Sequence, residues 1–94
     1  MKNISPIKNK LKIYRKQSNL TQKQVANILN LKCSSIISRW ENGTKLPNLI
    51  QALQLAALYR RLVTDIFYDL FCEQREKVIK NEKKNNNDFN VTIY

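Results

Sequence analysis

Apolar residues recur along the chain at intervals of three and four, in short runs separated by Asn, Ser, Gly or Pro. That spacing is the period of amphipathic helices. The first run is Ile7, Leu11 and Tyr14, interleaved with Lys8, Lys10, Lys12, Arg15 and Lys16. Ser5-Pro6 predicts where this helix starts, since a hydroxyl caps the end and Pro loses nothing in the first helical position. It should end near Gln17, with Asn19 taking the left-handed residue that usually falls to Gly and Leu20 packing the corner. Thr21-Gln22-Lys23-Gln24 has the form of a capping box that opens a short second helix. Val25, Ala26 and Leu29 are its apolar stripe, and Asn30, tolerant of left-handed backbone, is its stop. After Leu31, Lys32, Cys33, Ser34 and Ser35 the pattern predicts a third helix with Ile37 and Trp40 inward, closed by Asn42-Gly43. Residues 44–47 read as a loop.

Asn48, with Gln51 three residues on, predicts a fourth capped helix whose buried face is Leu49, Ala52, Leu53, Ala56 and Leu58. Arg60-Arg61-Leu62 leads to a further cap at Thr64-Asp65, where an acid suits the helix dipole. The last helix is expected from about Asp65 to the low eighties, with Ile66, Phe67, Leu70, Phe71, Val78 and Ile79 on one side. Lys83-Lys84-Asn85-Asn86-Asn87-Asp88 reads as disordered. Residues 89–94 alternate apolar with polar, as strands do. Six residues make no stable strand alone, so this end is a frayed tail or an element that pairs with a partner. The whole reads as an all-α, compact five-helix domain over residues 5–82 with an extended C-terminal helix, and a flexible tail over 83–94. Ninety-four residues suit one domain, and one Gly with two Pro leaves few tight turns for strands.

Composition narrows the function classes. No apolar run reaches the roughly 18–20 residues that span a bilayer, and the first residues have no signal-like stretch, so a cytoplasmic protein without a membrane role is expected. Cys33 and Cys72 are too few for a disulfide framework and read as reduced packing groups. The chain has no His, which leaves no ligand set for a metal and no nucleophile–base pair for an enzyme. No cofactor is implied. Seventeen Lys and Arg stand against seven acids, for a net charge of +10. The excess is lopsided: residues 1–47 hold ten bases and one acid, residues 48–94 seven bases and six acids. A basic half joined to a near-neutral half suits a polyanion-binding face backed by a packing module.

With Ile37 and Trp40 inward, Ser34, Ser35, Ile36, Ser38 and Arg39 are left to face outward or sideways. Small hydroxyls with one Arg can read base edges, since Ser donates or accepts and Arg bonds guanine through two donors. A serine-rich helix surface taken alone is better read as plain solvation. The unit of residues 21–43, two short helices with a tight connection, has the form that fits the DNA major groove.

The stretches LTQKQVANILN and SRWENGTKLPN resemble the Cro/C1 repressor family of helix-turn-helix proteins. The resemblance covers roughly residues 8–71. It runs through Leu11 and Arg15, Leu20-Thr21-Gln22, Ala26, Ile37-Ser38-Arg39-Trp40-Glu41-Asn42-Gly43, Pro47, Leu55-Ala56 and Ile66-Phe67. In this order and at these spacings the elements are specific; no single one is. The resemblance implies a phage-repressor-like fold and a transcriptional regulator, a repressor, bound to double-stranded DNA as a homodimer on inverted repeats. It implies base contacts from Ser34, Ser35, Ser38 and Arg39. Contacts to the DNA backbone are implied for Gln22, Lys23, Lys32, Asn42, Gly43, Thr44 and Lys45, with Gln22 alternatively bracing the third helix. Arg15 and Glu41 look like the family's internal salt bridge. The sequence departs from the pattern at Asn19 and Asn30, which replace glycines, at Arg60-Arg61, and in a turn near residues 31–34 that is one residue longer. The apolar side of the last helix is the candidate dimer surface. A second reading is an antitoxin that binds a partner protein, with residues 89–94 as the embracing segment and the same domain for autoregulation.

Overall fold

The computed structural model describes residues 6–85. Six helices follow one another: α1 (Leu11–Gln17), α2 (Gln22–Ile28), α3 (Ser35–Asn42), α4 (Leu49–Tyr59), α5 (Val63–Ile66) and α6 (Tyr68–Asn85). No strand occurs among the described residues. The strand-like residues 89–94 lie outside them.

Local chemistry sets most of the boundaries. Thr21 accepts from the Gln24 amide at 3.0 Å while the Gln24 side chain accepts from the Thr21 amide at 2.9 Å, the capping box expected of α2. Asn48 and Gln51 make the same reciprocal pair at the start of α4. Asn19 and Asn30 both take the left-handed conformation at φ 59°, as does Gly43 at φ 78°. Arg60 joins them at φ 57° and ends α4, holding a left-handed position that Gly or Asn would fill at less cost.

The start of α1 differs from expectation. The helix begins at Leu11, not at Ser5-Pro6. The preceding residues are committed to other elements: the Ile7 amide donates to the Gly43 carbonyl at 3.0 Å and the Lys10 amide to the Ile66 carbonyl at 2.9 Å. Asn9 accepts from the Leu11 amide at 3.0 Å, and its own amide group donates to the Trp40 carbonyl at 3.0 Å. This leader therefore runs across the ends of α3 and α5.

The last helix also differs. Capping at Thr64-Asp65 does not occur; Leu62 is the N-cap of a four-residue α5, and Phe67 (φ −114°, ψ 49°) separates it from α6. A continuous helix would have used the Ile66 carbonyl for the Leu70 amide; here Lys10 takes it. The helix then continues through Lys83 and Lys84 to Asn85, residues expected to be disordered.

The core is Leu11, Val25, Ala26, Leu29, Ile37, Trp40, Leu55, Tyr59, Ile66 and Phe67. Gly43 is buried beside it, and a Cβ there would strike the backbone of Ile7. On α4 the inward face is Ala52, Leu55 and Tyr59, whereas Leu49 and Leu53, expected inside, are exposed. Val78 is likewise exposed, and no residue of α6 from 68 to 84 is buried.

Candidate nucleic-acid interface

The candidate interface is built on α2 and α3, which pack together, with Ala26 of α2 buried. A small side chain there lets two backbones approach, and the Leu31 amide donates to the Ala26 carbonyl at 2.8 Å to fix the turn. Ser34 is the N-cap of α3, in helical conformation and without a side-chain capping bond. Cys33 beside it is exposed, not packed as expected, with its Sγ 2.9 Å from Ser35 Oγ. That hydroxyl is the main influence holding the thiol below its ordinary range.

On α3 the register is unambiguous. Ile37 and Trp40 are 1% and 3% exposed, and Arg39 lies on the outside. Ser35 is exposed with it, while Ser34 and Ser38 are half-buried at the edges of the same face. The four residues expected to touch bases thus share one side of a helix, although only two of them stand fully clear.

Behind that face sits a charged clamp. Arg15 Nε meets Glu41 Oε2 at 2.6 Å and its second nitrogen reaches Oε1 at 3.2 Å, a two-pronged pair from α1 to α3. Arg15 also donates to the Leu20 carbonyl at 2.9 Å, and Gln22 donates to Glu41 Oε1 at 3.0 Å. Three helices are therefore locked around one carboxylate. The Gln22 side chain is occupied here in bracing, the second of the two roles expected of it. The Tyr59 hydroxyl lies in the same interior without a hydrogen-bond partner among the described residues, and burial, more than the nearby Glu41 charge, pushes its pKa up to about 12.

Of the residues expected at the DNA backbone, Lys23, Lys32, Asn42, Thr44 and Lys45 are exposed. The Thr44 amide donates to the Arg39 carbonyl at 3.0 Å and the Lys45 amide does so at 3.3 Å, which folds the loop against the end of α3. Gly43 needs correction: its amide donates to the Trp40 carbonyl, its carbonyl accepts from Ile7, and it is buried, so it shapes the loop from within. Arg61 stands apart from the interface, its guanidinium 4.7 Å from the Tyr14 ring centre. The positioning residue missed in the sequence is Asn9, whose only signal was an Asn two places before a helix start.

Among the described residues no helix is long and apolar enough to cross a membrane, and no group of three or more potential metal ligands is assembled. A family model described as helix-turn-helix matches residues 11–65, more than half of the chain. No curated protein and no solved structure matches the chain.

Proposed function

The chain belongs to the Cro/C1-type helix-turn-helix family and is a DNA-binding regulator of that kind; from that premise we propose that it recognises a specific operator by laying α3 in the major groove. The observation that carries this reading is the opposed pair on α3: Trp40 is locked into the core while Arg39 is left in solvent. Arg39 is the natural partner for a guanine, and Ser34, Ser35 and Ser38 supply shorter donors and acceptors around it. Lys23 at the start of α2, Lys32 in the turn, and Asn42, Thr44 and Lys45 after α3 form the phosphate-contacting rim. Gln22 and Gly43 hold the frame for them.

The reading includes a homodimer. A good two-donor base contact is worth about 1–3 kcal/mol, while specific sites exceed non-specific DNA by about 4–10 kcal/mol. One α3 with a single exposed Arg falls short of that margin, and two on adjacent half-sites reach it. Half-sites lie roughly 10 base pairs apart in such an arrangement. Repression then needs only occupancy, because a filled groove excludes other proteins.

The test is selection of bound sequences from a random DNA pool with the wild-type chain and with Arg39→Ala. An inverted repeat that loses a base preference in each half-site in the variant supports the reading. An enriched pool with no common sequence would overturn it.

A further inference from the structure

The face around α3 takes up only part of the basic excess. Lys12 and Lys16 on α1, and Arg60 and Arg61 after α4, are also exposed. None of the four makes an ion pair among the described residues. Leu11 and Arg15 are the buried side of α1, with Arg15 bonded to Glu41 of α3. Ile13 and Gln17, two places on from each and so about 200° around the helix, form an exposed crest turned away from α3. Lys12 and Lys16 lie along one flank of that crest. On the other flank the Arg61 guanidinium is 4.7 Å from the Tyr14 ring centre and 3.4 Å from Gln17 Oε1.

Charge and backbone both point to an occupant. Neither α1 nor α4 contains an acid, and the groove beside Arg60 and Arg61 holds only Asp65. The ridge therefore keeps a net positive charge, and like charges held side by side are relieved by a polyanion. Arg60 also holds φ 57°, where the chain elsewhere places Asn or Gly. Strain retained at a basic residue points to use of its charge. We propose that the outer side of α1, with Arg60 and Arg61, binds the phosphate backbone of a second DNA duplex while α3 holds the operator.

One bound copy then bridges two segments of DNA. The second contact is sequence-independent, because phosphates position a protein without specifying a base. A lipid surface fits this ridge less well. Ile13 is the one large apolar side chain exposed on α1, and a helix lying on a membrane needs a continuous apolar face. The proposal rests on the operator reading for the duplex at α3, while the ridge itself does not depend on it.

The test tethers an operator duplex, loads it with the full chain, washes away excess protein and adds a labelled duplex without the operator. Protein retained on the tether is measured alongside. Wild type should capture the second duplex, with affinity falling about a hundred-fold from about 50 mM to about 200 mM salt, as four phosphate contacts require. Lys12→Gln with Lys16→Gln should weaken capture at least about ten-fold, with operator retention and helix content unchanged. Lys77→Gln with Lys80→Gln removes the same charge from α6 and should capture as wild type does. Arg60→Gly should capture several-fold less yet melt no lower than wild type, a combination that a purely structural role does not give. No capture by wild type, equal loss in the two paired variants, or capture of phosphatidylserine vesicles in place of the duplex would each overturn the proposal. If a scrambled tether retained the protein as well as the operator did, with capture still lost on replacing Lys12 and Lys16, the operator reading would fall and this surface would stand.

Discussion

Arg15 and Glu41 stand 26 residues apart in sequence and meet at 2.6 Å, with 10% and 2% of their side-chain surfaces exposed. Breaking a buried pair from one side leaves the other charge stranded, which costs about 3–5 kcal/mol. Glu41→Ala should therefore lower stability by that amount in urea denaturation, while Arg15→Met with Glu41→Leu together should cost much less. A loss under about 1 kcal/mol for Glu41→Ala, the size of a surface pair, would show that the clamp does not hold the three helices.

Arg39 is the residue proposed to read a base. Arg39→Ala should reduce affinity for the selected operator by about 1–3 kcal/mol and relax the preference at one base pair of each half-site. Stability should hardly change, because the side chain is exposed. Competition binding against a panel of single-base operator variants checks this; an unaltered preference profile counts against the assignment.

Lys45 is proposed for the phosphate-contacting rim. Lys45→Ala should weaken all DNA sequences alike and lower the slope of log affinity against log salt by about one for each copy bound. Titrations at several salt concentrations read the slope directly. Unchanged slope would remove Lys45 from the phosphate contacts.

Tyr59 gives a pH signature. Its pKa is about 12 in the folded chain against about 10 unfolded, so the unfolded state ionises first as pH rises. Stability is unaffected below about pH 10 and falls through the interval up to about 12, by on the order of 2–3 kcal/mol in all. Tyr59→Phe should flatten that alkaline decline in denaturation curves. At neutral pH it should cost little, because the hydroxyl it removes makes no hydrogen bond among the described residues.

Much of this was legible from local chemistry. Thr21 with Gln24, Asn48 with Gln51, and the left-handed Asn19, Asn30 and Gly43 are decided within a few residues, and all stand as the sequence indicates. The outward Arg39 followed from placing Trp40 inside. What stayed hidden depended on distant partners. The leader before α1 carries helix-like spacing at Ile7 and Leu11, yet Gly43 and Ile66 claim its amides. The rotation of α4 was hard to read because Gln51 and Gln54 are the helix's main polar residues among Leu49, Ile50, Ala52, Leu53, Leu55, Ala56, Ala57 and Leu58, and leave a wide arc without contrast. At the interface, residue types pointed to Gln22 and Gly43 as surface contacts; only the positions of Glu41 and Ile7 show them turned inward.

The stretch that ties Ile7 to Gly43, Asn9 to Trp40 and Lys10 to Ile66 lies entirely ahead of residue 11, where the family match begins. A minimal fragment trimmed to that boundary would keep every helix and lose the thread that stitches the far end of α3 to the end of α5. Anyone expressing the shortened version should expect a looser α3 terminus, and a reporter or tag is better attached ahead of Ile7 than substituted for it.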